Sequence, residues 1–236
     1  MPNHLPQPIR NRILSRLGTA DFALLQPHLK PVDLPLRKSL EARNRVIEYA
    51  YFPESGFASV VVNGADKGIE VGLIGREGMT GIAVLMGADR TPQDVFMQNA
   101  GSGWQITART LRRILDQNPG LHRALLLFAH AFALQTVYTA MANGRSSIEQ
   151  RLARWLLMAR DRLDSDRLVI THEFLAQMLA VRRPGVTKAV DSLAKTGTIH
   201  ARRGVITIVD REGLERQSNG AYGLAEAEYD RLLGRA

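Results

Sequence analysis

The sequence predicts an α+β protein in which an N-terminal antiparallel β-roll is followed by one long helix and a C-terminal winged helix-turn-helix. Short apolar runs separated by turn residues fill positions 32–106, as in antiparallel sheets joined by tight turns. Residues 124–142 then contain no charged side chain, which is typical of a helix buried on most sides. Two short amphipathic helices and a basic hairpin complete the pattern between positions 171 and 209.

The composition describes a globular chain without thiol chemistry. Its 236 residues are 45% hydrophobic and include no cysteine. Disulfides, thiol nucleophiles, Cys-bound zinc and thiolate-held iron–sulfur clusters are therefore excluded. The first residues, Met1–Pro6, have neither the basic nor the apolar segment of a signal peptide. We therefore expect a cytoplasmic protein.

The β region consists of short strands on either side of turn signals. Val46–Phe52 and Phe57–Val62 flank the turn residues Pro53–Gly56, and further strands are expected at Ile69–Ile74 and Val95–Gln98. No long helical pattern interrupts this rhythm, so a parallel sheet built from βαβ units is disfavoured. A closed or two-layered antiparallel unit is the better interpretation.

Helical periodicity begins after Thr107. The pattern predicts a short helix over Ala108–Gln117, a break at Asn118–Gly120 and a long helix over Leu121–Asn143. Two apolar stripes follow the long helix. The first contains Leu125, Phe128, Phe132 and Gln135, and the second Leu127, Ala131, Leu134, Tyr138 and Met141.

The uncharged stretch Ala124–Ala142 has two interpretations. Its length approaches that of a bilayer span. However, Arg123 and Arg145 flank it closely, and it contains His130 and Gln135. We favour a helix packed between its own β domain and the same helix of a second subunit, which predicts a two-fold homodimer.

A hinge and a second helix are expected after the long helix. Asn143–Arg145 predicts a helix break, and Ser146–Glu149 offers a serine cap with an acidic first turn for a helix over Ile148–Leu163. Asp164–Asp166 is a polar loop, and Leu168–Thr171 predicts a short strand.

The following segment has the pattern of a helix-turn-helix. Thr171–Leu179 predicts a short helix capped by Thr171, and Ala180–Arg182 predicts the turn. Pro184 suits the first position of the second helix. That helix buries Val186, Val190 and Leu193 and presents Arg183, Thr187, Lys188, Asp191, Ser192 and Lys195 on its other face.

A basic hairpin completes this unit. Thr198–Ala201, Arg202–Gly204 and Val205–Val209 predict a strand, a turn and a strand, with Arg202 and Arg203 over DNA phosphates. Residues 144–209 hold 12 basic and 6 acidic side chains, the densest basic excess in a chain of formal net charge +8. Each element alone is common in small α/β units. Together, the cap, the turn, the cationic face and the basic wing predict DNA binding.

The order of these elements resembles the CRP/FNR family of bacterial transcription regulators over nearly the whole chain. The most specific part is Ile148–Leu157 followed by Thr171–Val190, which is similar to the family's post-hinge helix and helix-turn-helix. The resemblance implies a β-roll of the cyclic-nucleotide-binding type at 1–120, a dimerisation helix at 121–143, and a winged-helix DNA-binding domain with a C-terminal tail at 144–236. It also implies a homodimer, with double-stranded DNA at a near-palindromic operator and RNA polymerase as partners, and no membrane.

The resemblance assigns roles on the recognition helix. Arg183 falls on the family's recognition-helix Arg and Lys188 on its second basic reader. Pro184 replaces the usual Glu, so the family's carboxylate-to-cytosine contact cannot form and a different operator is expected. The expected DNA-binding residues are Arg182, Arg183, Thr187, Lys188, Ser192, Arg202 and Arg203.

The family's phosphate-binding segment is matched only in part. Arg90-Thr91 falls on its Arg-Ser pair, but Thr80 stands where the ribose-binding Glu belongs, which removes charge-assisted hydrogen bonds. Thr136 falls on the helix Thr that meets the base in cyclic-AMP-binding members, yet Val137 cannot copy the adjacent hydroxyl. Arg90, Thr91, Thr80 and Thr136 are the candidate ligand residues, with an ordinary surface Arg and helix hydroxyl as the alternative. An effector other than cyclic AMP, or none, is expected.

The sequence does not favour catalysis or a bound cofactor. It has no P-loop, no Gly-x-Ser-x-Gly and no paired-carboxylate constellation, so we expect no enzymatic activity. His28, His122 and His130 lack metal-ligand spacing, and although haem is left open, no cofactor or metal is expected. The alternative function is a ligand-binding or scaffold protein whose C-terminal unit binds a partner other than DNA.

Overall fold

The computed structural model describes residues 9–64 and 68–234. The expectation that Met1–Pro6 contains no signal peptide lies outside these residues. Within them, the chain forms an antiparallel β-roll, a long helix and a C-terminal winged helix-turn-helix, as the sequence predicts. Three short helical segments, α1, α2 and a 3₁₀ turn, precede the β-roll. They span Arg12–Arg16, Thr19–Leu25 and Gln26–His28.

The β-roll contains two antiparallel sheets. One has the strand order β1-β7-β3 and the other β2-β6-β4-β5, with the short helix α3 (Ile82–Leu85) between β5 and β6. Their inner faces enclose the first hydrophobic core, which includes the fully buried Phe52, Ile74 and Met97. The strands are β1 (Lys30–Leu34), β2 (Ser39–Glu41), β3 (Tyr49–Pro53), β4 (Phe57–Asn63), β5 (Gly68–Ile74), β6 (Gln93–Asn99) and β7 (Gly101–Thr107).

The structure corrects some of the predicted strands. The strand expected from Val46 begins at Tyr49, and Val46 is exposed. The strands β1, β2 and β7 were not predicted individually. Pro31 in β1 and the two glycines of β7 lower strand propensity. Pro31 is tolerated because β1 lies at the edge of its sheet.

The long helix α5 spans Pro119–Arg145 and follows α4 (Ala108–Gln117) directly. The break expected at Asn118–Gly120 is confined to Asn118, because Pro119 is already the first residue of α5. The helix break predicted at Asn143–Arg145 lies instead at Ser146–Ser147, between the end of α5 and the start of the next helix. The helix continues through Gly144, since a glycine costs only about 1 kcal/mol in a helix and the terminal Arg145 favours the helix dipole.

One side of α5 packs on the β-roll. Leu121, Leu125 and Phe128 are buried there, and Gln135 bonds to the backbone of β5. Its Oε1 accepts from the Leu73 amide at 2.7 Å and its Nε2 donates to the Leu73 carbonyl at 3.2 Å. Among the described residues, α5 is the one helix long and apolar enough to cross a membrane, but a single such helix is weak evidence of a span. Its packing on the β-roll accounts for the first apolar stripe.

The C-terminal unit begins at Ser147, which caps α6. The Ser147 hydroxyl accepts from the Gln150 amide, and the Gln150 side chain bonds back to the Ser147 amide, so the predicted serine cap is confirmed. A three-stranded sheet of order β8-β10-β9 closes this unit. Its elements are α6 (Ile148–Asp161), β8 (Arg167–Val169), α7 (His172–Met178), α8 (Arg183–Lys195), β9 (Ile199–Arg202), β10 (Val205–Ile208), α9 (Arg211–Gln217) and α10 (Leu224–Leu233).

The winged-helix unit packs directly against the β-roll. Phe57 and Leu73 of the β-roll belong to its hydrophobic core. Trp155 of α6 donates its Nε1 hydrogen to Oε1 of the buried Glu70 at 2.6 Å. Nearby, Arg162 and Glu77 form a buried ion pair of 2.7 Å. These contacts fix the orientation of α6 on the sheet that contains β5.

The C-terminal tail crosses back to the N-terminal half of the chain. The apolar residues Tyr222, Leu224, Tyr229, Leu232 and Leu233 predict a terminal helix, and α10 forms there. It packs on α5 and the β-roll, where the Tyr229 hydroxyl donates to the Glu77 carbonyl at 2.6 Å. Ala131 of the second apolar stripe is buried within the chain beside α10, so this part of the stripe is covered without a second subunit.

Candidate nucleic-acid interface and effector cavity

The helix α8 is buried on one face and basic on the other. Val186, Val190 and Leu193 are fully buried, as predicted. Arg182 is the N-cap residue and α8 starts at Arg183, so Pro184 occupies the second position and not the expected first. Proline at this position leaves no helical hydrogen bond unmade. The exposed residues of the helix and its cap are Arg182, Arg183, Pro184, Lys188, Asp191, Ser192 and Lys195.

A tight turn and a side-chain contact hold α7 against α8. Ala180 has a positive φ of 50°, and the Val181 amide donates to the Ala176 carbonyl at 2.9 Å. Thr187 lies 3.1 Å from Nδ1 of His172, and its hydroxyl also donates to the Arg183 carbonyl. Thr187 is thus half-buried, and its hydroxyl already has hydrogen-bond partners within the helix-turn-helix. The contribution of His172 was missed, because nothing in the sequence pairs it with a residue of the next helix.

The wing ends in a two-residue turn. Arg202 is the last residue of β9 and pairs with Val205, so the turn consists of Arg203 and Gly204 and not of the expected Arg202–Gly204. Both turn residues have positive φ, 36° and 79°, as a type I′ hairpin requires. Arg203 therefore stands at the exposed tip, and Arg202 is exposed beside it.

These cations are not neutralised by the chain itself. Among the described residues, no ion pair involves any basic side chain of α8, its cap or the wing tip. Several other arginines, such as Arg160, Arg162 and Arg211, are paired with carboxylates. The cationic face is therefore available to phosphate groups.

A cavity of about 350 Å³ lies between the β-roll and α5. Thr91 and Thr136 line it, but the other two candidate ligand residues do not. Thr80 is fully buried and accepts a hydrogen bond from the Tyr51 amide at 3.1 Å. Arg90 is exposed and paired with Asp89 at 3.1 Å. The resemblance implies that all four residues share one ligand site, whereas in the structure these partners hold Thr80 and Arg90 outside the cavity.

The cavity contains a carboxylate that sequence analysis missed. Glu41 is 7% exposed, lines the cavity and accepts a hydrogen bond from the Gly81 amide at 2.6 Å. Burial raises the pKa of Glu41, and the Gly81 hydrogen bond opposes that rise. No arginine or lysine is among the described residues that line the cavity. Alternation along β2 gives no signal for this carboxylate, because it places Glu41 on the same face as the exposed Ser39 and opposite the buried Leu40. The register shift between Ser39 and Glu41 interrupts that alternation.

Comparisons with known proteins agree with this architecture. The profile of the Crp-like helix-turn-helix domain matches residues 150–217. In a structure from Eubacterium rectale assigned to the CRP/FNR family, 18% of residues are identical and the TM-score is 0.70, covering 86% of this chain and 96% of that one. The chain has the fold of the CRP/FNR regulators and carries their helix-turn-helix domain.

Two further structures have the same CRP/FNR fold. A CRP-family transcriptional regulator of Thermus thermophilus is 20% identical with a TM-score of 0.66, covering 82% of this chain and 98% of that one. FixK2 of Bradyrhizobium japonicum is 14% identical with a TM-score of 0.68, and the match covers 80% of this chain and 96% of FixK2. No curated protein matches the chain by sequence. The matched domain runs from α6 to the end of α9, so α10 lies beyond it.

Proposed function

We propose that this CRP/FNR-type regulator acts as a homodimer that binds a near-palindromic DNA operator. The observation that carries the proposal is the unpaired cationic surface formed by the start of α8 and the wing tip. Arg183 and Lys188 are proposed to read bases, with Arg182 and Ser192 beside them. Arg202 and Arg203 are proposed to contact phosphates, and Thr187 to position its neighbours through the contact with His172.

A second face of α5 supports dimerisation. Leu126, Leu127, Val137 and Met141 are each more than a third exposed. A contiguous exposed apolar face of this kind marks an interaction surface. The same helix of a second copy, related by a two-fold axis, would cover it and would set two recognition helices about one DNA turn apart.

The cavity beneath α5 is proposed as an effector site that does not suit cyclic AMP. A cyclic phosphate needs a cationic partner, whereas Glu41 adds a carboxyl group and Arg90 is engaged by Asp89. Thr91 and Thr136 would contact whichever ligand enters. The protein is proposed to work in the cytoplasm with RNA polymerase as a further partner and without enzymatic activity.

We propose domain limits that follow the caps of the helices. The β-roll with its flanking helices would end at Asn118, in place of 120, and the dimerisation helix would end at Arg145, in place of 143. The winged-helix unit would extend to Gln217, and the tail with α10 would form a separate element. These limits follow the ends of α4, α5 and α9.

Selection of bound duplexes from a random library tests the proposal. The purified full-length chain is incubated with the library with and without cyclic AMP, and bound duplexes are sequenced. We expect a near-palindrome to be enriched without the nucleotide. Enrichment only with cyclic AMP would contradict the effector proposal, and no enrichment in either condition would favour a protein partner for the C-terminal unit.

Salt dependence separates the two kinds of partner. Affinity for DNA falls steeply with salt, because phosphate contacts release counterions, whereas a protein interface need not show this. A duplex affinity that hardly changes with salt would contradict the proposed phosphate contacts.

A further inference from the structure

A cleft of about 210 Å³ lies between the β-roll and the winged-helix unit, separate from the cavity beneath α5. One wall comes from the β1–β2 turn, β4 and β6. The opposite wall comes from α6, β8, α7 and the wing turn. A molecule bound in this cleft would contact both units of the chain at once.

The walls of the cleft are apolar and rich in aromatic side chains. Phe57 and Trp155 face each other edge-on with ring centroids 6.5 Å apart. Phe96 and Phe174 add two further rings. At the rim, Leu36 and Val169 are 58% and 75% exposed, which is unusual for large apolar side chains. Such a surface favours a ligand with a planar apolar body.

The only ionisable residue among the described lining residues is Arg37. Its side chain forms no hydrogen bond or ion pair with the rest of the described chain, although its backbone amide donates to the Met97 carbonyl at 2.7 Å. Gln98 also lines the cleft, but its side-chain amide contacts the Ser59 hydroxyl. The cleft thus presents one unused donor group, the positively charged guanidinium of Arg37, and no carboxylate among its described lining residues.

We propose that this cleft binds an aromatic monoanion, such as an aryl-substituted carboxylate. The ring would lie among Phe57, Trp155 and Phe174, and the carboxylate would accept hydrogen bonds from the guanidinium of Arg37 at the mouth. A guanidinium and a carboxylate form strong, paired hydrogen bonds of this kind. The cavity beneath α5, where Glu41 supplies a carboxyl group and no cation is present among the described lining residues, would not accept the same ligand.

The location of the cleft gives the ligand a regulatory effect. Because it touches the β-roll on one side and α6, α7 and the wing on the other, the ligand would stabilise the observed packing of the two units. The DNA affinity would then differ between the free and the ligand-bound protein. This consequence rests on the proposed function, whereas the binding itself does not.

Calorimetric titration of the full-length protein tests the site. The probes are 3-phenylpropionate, its neutral analogue 3-phenylpropan-1-ol and the cationic 3-phenylpropylamine. We expect 3-phenylpropionate to bind at least about tenfold more tightly than either analogue, because only it can use the charge-assisted hydrogen bonds. Equal binding of the three probes, or no binding of the carboxylate, would overturn the proposal.

Matched variants locate the ligand. Arg37→Gln should weaken 3-phenylpropionate binding at least about tenfold. Arg45→Gln removes another exposed arginine, outside the cleft, and should leave binding unchanged. Val169→Trp fills the mouth from an exposed position and should abolish binding without disturbing a core. Binding that survives both Arg37→Gln and Val169→Trp would place the ligand elsewhere and overturn the proposal.

A DNA-binding assay with the same probe separates the two proposals. If 3-phenylpropionate binds as described but no duplex is bound, the proposed ligand site is supported and the proposed function is contradicted. If duplexes are bound and 3-phenylpropionate is not, the proposed function is supported and the proposed ligand site is contradicted. If the probe binds and leaves the duplex affinity unchanged, only the regulatory effect is overturned.

Discussion

Two arginines on the cationic surface lie in different backbone conformations, one in a helix and one in a hairpin turn. We therefore predict different roles for them. Arg183 lies in the first turn of α8, from which side chains reach base edges in a major groove. Arg203 has a φ of 36° at the tip of the wing, where a phosphate contact is expected. A base contact contributes sequence discrimination, whereas a phosphate contact contributes affinity for every sequence.

Arg183→Ala should lower the preference for the selected operator over other duplexes, by about 1–3 kcal/mol. Arg203→Asn keeps a residue that tolerates positive φ, so it should weaken all duplexes about equally and reduce the salt slope by about one. Affinities for the operator and for other duplexes, measured across a salt series, check the expected effects of both substitutions. Lys195→Ala, at the far end of α8, is the control.

An unchanged operator preference in Arg183→Ala would contradict the assignment of the recognition helix.

The buried Glu70 predicts a pH dependence of stability. Burial raises the pKa of Glu70 to about 7, although hydrogen bonds from Ser59 and Trp155 and the charges of Arg162 and Arg154 oppose the rise. Between the unfolded value of 4.5 and about 7, the unfolded chain releases this proton while the folded chain keeps it. The free energy of unfolding therefore falls as the pH rises through this range, by on the order of 3 kcal/mol.

Glu70→Gln should remove this contribution while keeping an acceptor for Trp155. Denaturant unfolding at pH 5 and pH 8 measures the loss of stability between the two values, which should be smaller in the variant than in the natural chain. Glu48→Gln, which changes an exposed carboxyl group, should leave that loss unchanged. Equal losses in Glu70→Gln and the natural chain would show that Glu70 is ionised throughout.

At the scale of single elements, α5 combines two surfaces that its sequence did not distinguish. Both apolar stripes have helical spacing, yet Phe128 and Phe132 of the first stripe are buried within the chain, whereas Met141 of the second is 39% exposed. Ala131 of the second stripe is covered within the chain. Helical periodicity shows that a face is apolar, and only the packing of other elements shows what covers it.

The exposed face of α5 predicts a dimer that a single charge disrupts. Val137→Glu would bring two carboxylates into the proposed two-fold interface, and their desolvation and repulsion should shift the protein toward monomer. Sedimentation at several concentrations measures the shift. Val46→Glu is the matched control, because Val46 is 57% exposed on the β-roll. A dimer that is equally stable in both variants would place the interface on another surface.

Capping residues predicted the ends of the helices more accurately than glycine did. Ser147 and Thr171 cap α6 and α7 as predicted, because a hydroxyl that accepts from the third amide is a local feature. Gly144 was interpreted as a hinge, yet it lies inside α5. A glycine permits a break without requiring one, and the neighbouring cap residues decide where the helix ends.

At the scale of the whole molecule, the C-terminal segment from Ala221 through α10 ties the winged-helix unit to the rest of the chain. The Tyr222 hydroxyl donates to Asp161 of α6 at 2.5 Å, and the Tyr229 hydroxyl bonds to Glu77 of the β-roll. Arg154 of α6 also donates to the Ala221 carbonyl at 2.9 Å. The tail beyond the matched domain thus spans the boundary between the two halves of the molecule.

Truncation after Gln217 should loosen the packing of α6 on the β-roll, because these contacts and the cover over Ala131 are lost. Hydrogen exchange measured by mass spectrometry should become faster in peptides that contain Glu70 and Trp155. Tyr229→Phe keeps the ring and removes one hydrogen bond, so it should have a much smaller effect. Unchanged exchange in the truncated chain would show that α10 does not hold the two units together.

Features that depend on neighbouring residues can be predicted from the sequence alone: the capped helices, the alternation of the strands, and the basic surface of α8 and the wing. The sequence also excluded thiol chemistry. The tertiary structure decided which groups meet across the chain, such as Glu41 with Gly81, Thr80 with Tyr51, and α10 with α5. Local periodicity and propensity act over a few residues, whereas these contacts join residues that only the packing of the β-roll, α5 and the winged-helix unit brings together.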